Sequence, residues 1–183
     1  AVGRITHGCA GLYSDVNEDA MARVIAFCKS VGQSKIGVQL AHAGRKASCH
    51  APQNGGRPLA EDEGAWPTIG PSAVPFGPDW HTPAEMTRRD MDDVIAAHVQ
   101  ATERAHRVGF AALEIHGAHG YLLSSFLSPL ANRRTDAYGG DRAGRMRFAL
   151  EVLLDSLRCK LVEKGVGWLV NDHQGICDPR WVT

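Results

Sequence analysis

Gly109-Phe110-Ala111-Ala112-Leu113-Glu114-Ile115-His116-Gly117-Ala118-His119-Gly120-Tyr121 is the stretch that decides how this chain is read. Residues 110–115 form a short, largely apolar run that reads as a buried strand. A glycine stands before it, and two histidines and a tyrosine follow at once. In α/β folds, ligands are handled where the carboxyl ends of strands meet their loops. Two imidazoles at such a place can donate hydrogen bonds to a developing oxyanion, and a phenol can supply a proton. The trio His116, His119 and Tyr121 therefore points to chemistry on a carbonyl-bearing substrate.

Working outward, the segment before the strand is helical. Residues 87–108 keep Met91, Val94, Ile95, Val99, Thr102 and Ala105 on one face. Thr87 and Asp90 resemble a capping box at its start, and Gly109 closes it. An earlier helix spans 17–31, with Ser14 and Asp15 as caps and Met21, Val24, Ile25, Cys28 and Val31 at helical spacing. A strand follows at 35–40. A third helix covers 142–161, with Met146, Ala149, Leu150, Leu153 and Leu157 on one side. Strand and helix alternate, which argues for a parallel sheet with helical crossovers. Between the first strand and the second helix lies a long irregular stretch, 41–86, rich in Gly and Pro. A loop of that length is usually functional, and Trp66 and Trp80 suggest that it packs on something. The last residues fit no pattern well; 166–170 is a weak strand candidate.

Composition narrows the classes. The 183 residues carry 20 Lys+Arg against 20 Asp+Glu, so no basic face is expected to seek nucleic acid. No run of about 18 apolar residues is present, so no membrane span is expected. The opening residues show no basic-then-apolar leader. The five cysteines, Cys9, Cys28, Cys49, Cys159 and Cys177, are scattered and contain no CxxC pair. That suits free thiols in a reducing compartment and a cytoplasmic address.

A second site candidate is Gly37-Val38-Gln39-Leu40-Ala41-His42-Ala43-Gly44-Arg45. Gln39 sits at the carboxyl end of the first strand, where its amide can pair donor and acceptor edges of a planar heterocycle or be satisfied by backbone. His42 and Arg45 are open to two readings, anion binding or support of the loop. His116-x-x-His119 lacks a third metal ligand nearby, so no metal is expected. Residues three apart share a face if 116–121 turns into a helix, which would aim both imidazoles the same way. Residues 132–140 read as a loop held by charge pairing.

Taken in order, these pieces resemble the Old Yellow Enzyme family of FMN-dependent ene-reductases, most closely its xenobiotic-reductase branch. The matching segments are Gly3-Arg4-Ile5-Thr6, Gly37 through Ser48, Pro71-Ser72-Ala73, Glu114 through Leu122, Phe126-Leu127-Ser128-Pro129-Leu130, and Asn132 through Gly140. The resemblance implies a (β/α)8 TIM barrel with FMN at the carboxyl face of the strands. It implies that Gln39 meets the flavin's pyrimidine edge and that His116 and His119 hold the substrate's carbonyl oxygen. His116 would also lie near the flavin, and Tyr121 would be the proton donor. The implied reaction passes hydride from NADPH or NADH through FMN to the C=C bond of a small α,β-unsaturated carbonyl compound, an enone. Assembly as a homo-oligomer is left open.

The resemblance covers about residues 1–157, and 158–183 is expected to be a divergent tail. A whole barrel needs about 250 residues. The expected fold is therefore a partial barrel, from the end of the second strand through the fourth helix. The family's flavin-phosphate strands find no counterpart, and Gly165 through His173 do not match its fifth strand, which in the family carries an arginine near the flavin; Arg180 is not a convincing substitute. Marginal folding and weak FMN binding are expected of this chain alone. The competing reading is a non-catalytic truncated remnant or interaction module. A metal-dependent hydrolase built on His42, His116 and His119 is the most distant reading.

Overall fold

The structure is a computed structural model that describes residues 1–158 and the backbone of 167–171. Its elements are helix α1 (Asp15–Val31), strand β1 (Gly37–Leu40), the two-residue strands β2 (Ile69–Gly70) and β3 (Ala84–Glu85), and helix α2 (Arg88–Val108). Strand β4 (Ala112–His116), helices α3 (Leu122–Leu127) and α4 (Arg142–Arg158), and strand β5 (Gly167–Asn171) complete it. The main sheet is parallel throughout, in the order β1-β4-β5. Helix α2 is the crossover between β1 and β4, and α3 and α4 lie between β4 and β5. Parallel strands joined by helices are the repeating unit of an α/β barrel, as expected. The weak strand candidate at 166–170 corresponds to β5. The rest of the tail, with Cys159, Cys177 and Arg180, lies outside the described residues.

The first two helices begin where their caps are. The Ser14 hydroxyl accepts from the backbone N–H of Asn17. Thr87 and Asp90 close a full capping box, and Gly109 ends α2 in the left-handed region at φ 90°. On α2 the buried residues are Met91, Val94, Ile95, His98, Thr102 and Ala105, so a histidine sits on the face read as apolar. Helix α1 departs further from expectation. Ile25 is its buried residue, while Val24, Phe27 and Val31 are exposed. It leans on α2 by ion pairs instead, Arg107 with Glu18 and Arg104 with Asp15 and Glu18.

Helix α4 also turns differently from the expected face. The residues it buries are Gly144, Phe148, Val152 and Ser156, one i, i+4 line, while Leu150 and Leu154 are exposed. The reason is local. An added Cβ at Gly144 would stand 2.1 Å from the carbonyl oxygen of Gly139, so this position must face the preceding loop. That rotation aims Phe148 at Phe126 of α3, with ring centroids 4.4 Å apart. Helix α3 itself was not foreseen; six residues are too few for a periodic signal. No helix among the described residues is long and apolar enough to cross a membrane.

The long 41–86 stretch is less irregular than expected. It holds three short 3-10 turns, an antiparallel bridge between Cys49 and Pro58, and the parallel β2–β3 pair. Trp66 is tied to the N-terminal segment, its indole N–H donating to the Val2 carbonyl at 3.0 Å with Arg4 over its ring. Trp80 packs edge-on against Phe76. Residues 132–140 are held by Arg134, 8% exposed, which pairs with Asp136 and donates to the carbonyls of Pro71 and Met86.

Phe148 and Phe126 are both fully covered and join α4 to α3 within the hydrophobic core. Phe148→Ala should therefore destabilise the fold by about 3–5 kcal/mol, read as a fall in the urea midpoint. A loss under about 1 kcal/mol would mean that the α3–α4 contact does not carry the core.

Candidate active site

The register of β1 on β4 places the site. Gln39 is opposite Glu114, and Leu40 is opposite Ile115. Side chains alternate along a strand, so Gln39, Glu114 and His116 share one face while Val38, Leu40, Leu113 and Ile115 share the other. The second set meets the helices; Leu40, Leu113 and Ile115 are buried. On the first face Gln39 is exposed, and its Nε2 donates to Glu114 Oε1 at 2.8 Å. Glu114 drew no attention in the sequence. Its signal was available, since it stands two residues before His116 and so on the same side of a strand.

The histidines do not meet through a helix turn. His116 is the last residue of β4, and His119 adopts a left-handed conformation at φ 58°. That turn folds the second ring back over the first. The Ala118 N–H donates to His116 Nδ1 at 3.1 Å, which leaves the proton of neutral His116 on Nε2. His116 Nε2 lies 3.0 Å from His119 Nδ1 and donates to it, so the His119 proton stands on Nε2. The backbone thus sets the tautomer of both rings in series. The Tyr121 ring is 4.8 Å from His116 and 6.5 Å from His119. Burial, with the Cys49 and Cys9 thiols nearby, pushes the Tyr121 phenol above its usual pKa, so it stays protonated.

The loop after β1 fixes where Tyr121 stands. The His42 carbonyl accepts from the Leu122 N–H at 2.9 Å. Gly44, at φ 58°, brings its backbone so close that an added Cβ would lie 3.0 Å from Leu122 Cα. Tyr121 is the residue directly before that contact, as the N-cap of α3. Lys46, from the same loop, donates to the His119 carbonyl and lies over the rings of Tyr121 and Phe76. Burial lowers its pKa. The sequence reading gave Lys46 no role.

His42 and Arg45 resolve toward loop support. Arg45 donates to the carbonyls of Val74 and Pro75. His42 accepts from the Gly44 N–H through Nδ1, and its Nε2 is covered and makes no hydrogen bond. Some ring edge remains accessible, yet both burial and His98 nearby oppose its charge, and its pKa falls from 6.5 to about 3. No group of three His, Cys, Asp or Glu among the described residues is placed to hold a metal ion.

Comparison with known proteins puts this arrangement in context. The model of the NADH:flavin oxidoreductase / NADH oxidase family matches residues 1–168. An NADPH dehydrogenase of Geobacillus sp. (strain WCH70) is 43% identical over 158 residues, covering 86% of this chain and 42% of the relative. The Old Yellow Enzyme from Pichia sp. AKU4542 superposes with a TM-score of 0.70 at 28% identity, over 87% of this chain and 41% of that one. A 2-naphthoyl-CoA reductase in complex with 2-naphthoyl-CoA superposes at TM-score 0.75 and 25% identity, over 92% of this chain and 25% of that one. The chain thus spans about two fifths of the curated relatives it matches.

The half-buried His42 makes stability depend on pH. Unfolding exposes an imidazole of ordinary pKa 6.5, which takes up a proton that the folded chain refuses until about pH 3. Its folded pKa is depressed, so stability is full above 6.5 and falls as the pH drops toward 3. Between pH 7 and 5 this amounts to about 2 kcal/mol. Urea midpoints of the His42→Asn variant should fall less over that interval than those of the wild type. Equal falls would place the titration on other groups.

Proposed function

The chain belongs to the NADH:flavin oxidoreductase / NADH oxidase family, and from that premise we propose that it carries part of the active site of an FMN-dependent, NADPH- or NADH-oxidising ene-reductase acting on small enones. The observation that carries the reading is the clustering of the His116–His119 pair, Tyr121 and Gln39 at the carboxyl ends of two adjacent parallel strands. The donor set suits the cofactor. An exposed carboxamide with one N–H spent on Glu114 still has an oxygen and a second N–H for the edge of a planar heterocycle.

When bound, FMN supplies hydride chemistry between a nicotinamide and a conjugated C=C bond. The chain's own residues polarise and protonate. The imidazoles of His116 and His119 hold the substrate's carbonyl oxygen as negative charge gathers there. The proton sites set by the Ala118 N–H put an N–H, not a lone pair, on the outer nitrogen of His119. For His116 to join, its Nε2–H turns from His119 to the incoming oxygen. Tyr121, kept protonated by burial, holds the proton for the α-carbon. Lys46, against the phenol ring and the His119 carbonyl, keeps both in place.

With FMN, NADPH and cyclohexenone supplied anaerobically, Tyr121→Phe should slow oxidation of the reduced enzyme by substrate by about 10²–10⁴-fold and leave NADPH oxidation near its original rate. Equal slowing of both half-reactions would remove Tyr121 as the proton donor. His116→Ala should weaken the binding of phenol-like ligands to the oxidised, flavin-loaded protein. An unchanged affinity would remove His116 from the oxygen site.

A further inference from the structure

Glu114 has no part in the reading above, yet it lies at the centre of the open sheet face. It is half-buried, two residues before His116 on the same side of β4, and opposite Gln39 in the register. Its Oε1 accepts from Gln39 Nε2 at 2.8 Å. A carboxamide is nearly symmetric in shape, and its oxygen and nitrogen exchange places by a simple flip. An ionised carboxylate is not symmetric in this sense, because it only accepts. Flipping Gln39 would set its carbonyl oxygen against the carboxylate with no proton between them. The neighbour therefore fixes which end of the amide faces Glu114 and which atoms are left over.

We propose that Glu114 is the positioning residue of Gln39: it fixes the amide so that the carbonyl oxygen and one N–H form an acceptor–donor edge for a heterocycle with a complementary donor and acceptor. The pyrimidine edge of a flavin, with a ring N–H between two carbonyls, is such a partner; the ligand's identity alone rests on the reading given above. Glu114 thereby decides on which side of the ring N–H the Gln39 N–H falls. The pair is not needed to hold the sheet. The β1–β4 ladder is made by the backbone, and Gln39 is exposed.

The test uses the full 183-residue chain. FMN affinity is read by flavin fluorescence titration in the wild type, E114A, E114Q, Q39A and the Q39A/E114A double variant. E114A should weaken FMN binding by about tenfold with an unchanged thermal midpoint. E114Q, which still accepts through its amide oxygen but more weakly and lets both amides turn over, should recover only part of the loss. In the Q39A background E114A should have no further effect, because the carboxylate acts through the amide. An equal loss in both backgrounds, or full affinity in E114A, overturns the proposal. Wild-type protein that binds no FMN would instead sink the cofactor reading. The proposal is then decided by the Gln39 side-chain amide resonances, identified by their loss in Q39A. They should be well separated and slow to exchange in the wild type and collapse to free-glutamine values in E114A. Identical spectra would overturn it.

Discussion

The register between β1 and β4 is the constraint on which the rest depends. Pairing Gln39 with Glu114 puts Val38, Leu40, Leu113 and Ile115 toward the helices and Gln39, Glu114 and His116, with the small Ala112, toward the open face. A slip of β1 by one residue would send Gln39 into the layer now filled by Leu113 and Ile115 and turn Leu40 out onto the face of His116. The same hydrophobic sorting that stabilises the sheet thus assembles the site. The polar residues need no specific attraction to each other to arrive together.

Much of this was legible in the sequence, for physical reasons that differ by element. Helix α2 carried a capping box, a strong apolar face and a terminal glycine, and the structure reproduces each. Strand β4 was legible as an apolar run ended by histidine, though it begins two residues later and includes His116 itself. The face of α4 was not legible. It depends on Gly144 lying against the Gly139 carbonyl, a contact between a helix and its own preceding loop that no periodicity records. The exposed stripe of α1 was misread for a related reason, since spacing marks a face without saying what covers it.

At the site, the residue types were legible and their geometry was not. His116 and His119 would share a face if 116–121 were helical. A left-handed residue at 119 brings the rings together instead, with one donating to the other. The difference matters chemically. Parallel imidazoles would be two independent donors, whereas these form a relay whose proton positions start at a backbone N–H. Glu114 and Lys46 were missed because each is unremarkable in sequence, a glutamate in a strand and a lysine in a basic-looking loop. Their partners are 75 and 73 residues away.

Arg134 fastens the long loop to the rest of the chain through the main-chain oxygens of Pro71 and Met86, and Arg45 ties the start of the loop to its middle through those of Val74 and Pro75. A carbonyl is present whatever side chain its residue bears. The segment can therefore change its side chains widely while its path stays anchored. Substitutions along it leave these backbone anchors in place, which makes this stretch a natural place to diversify the protein in the laboratory.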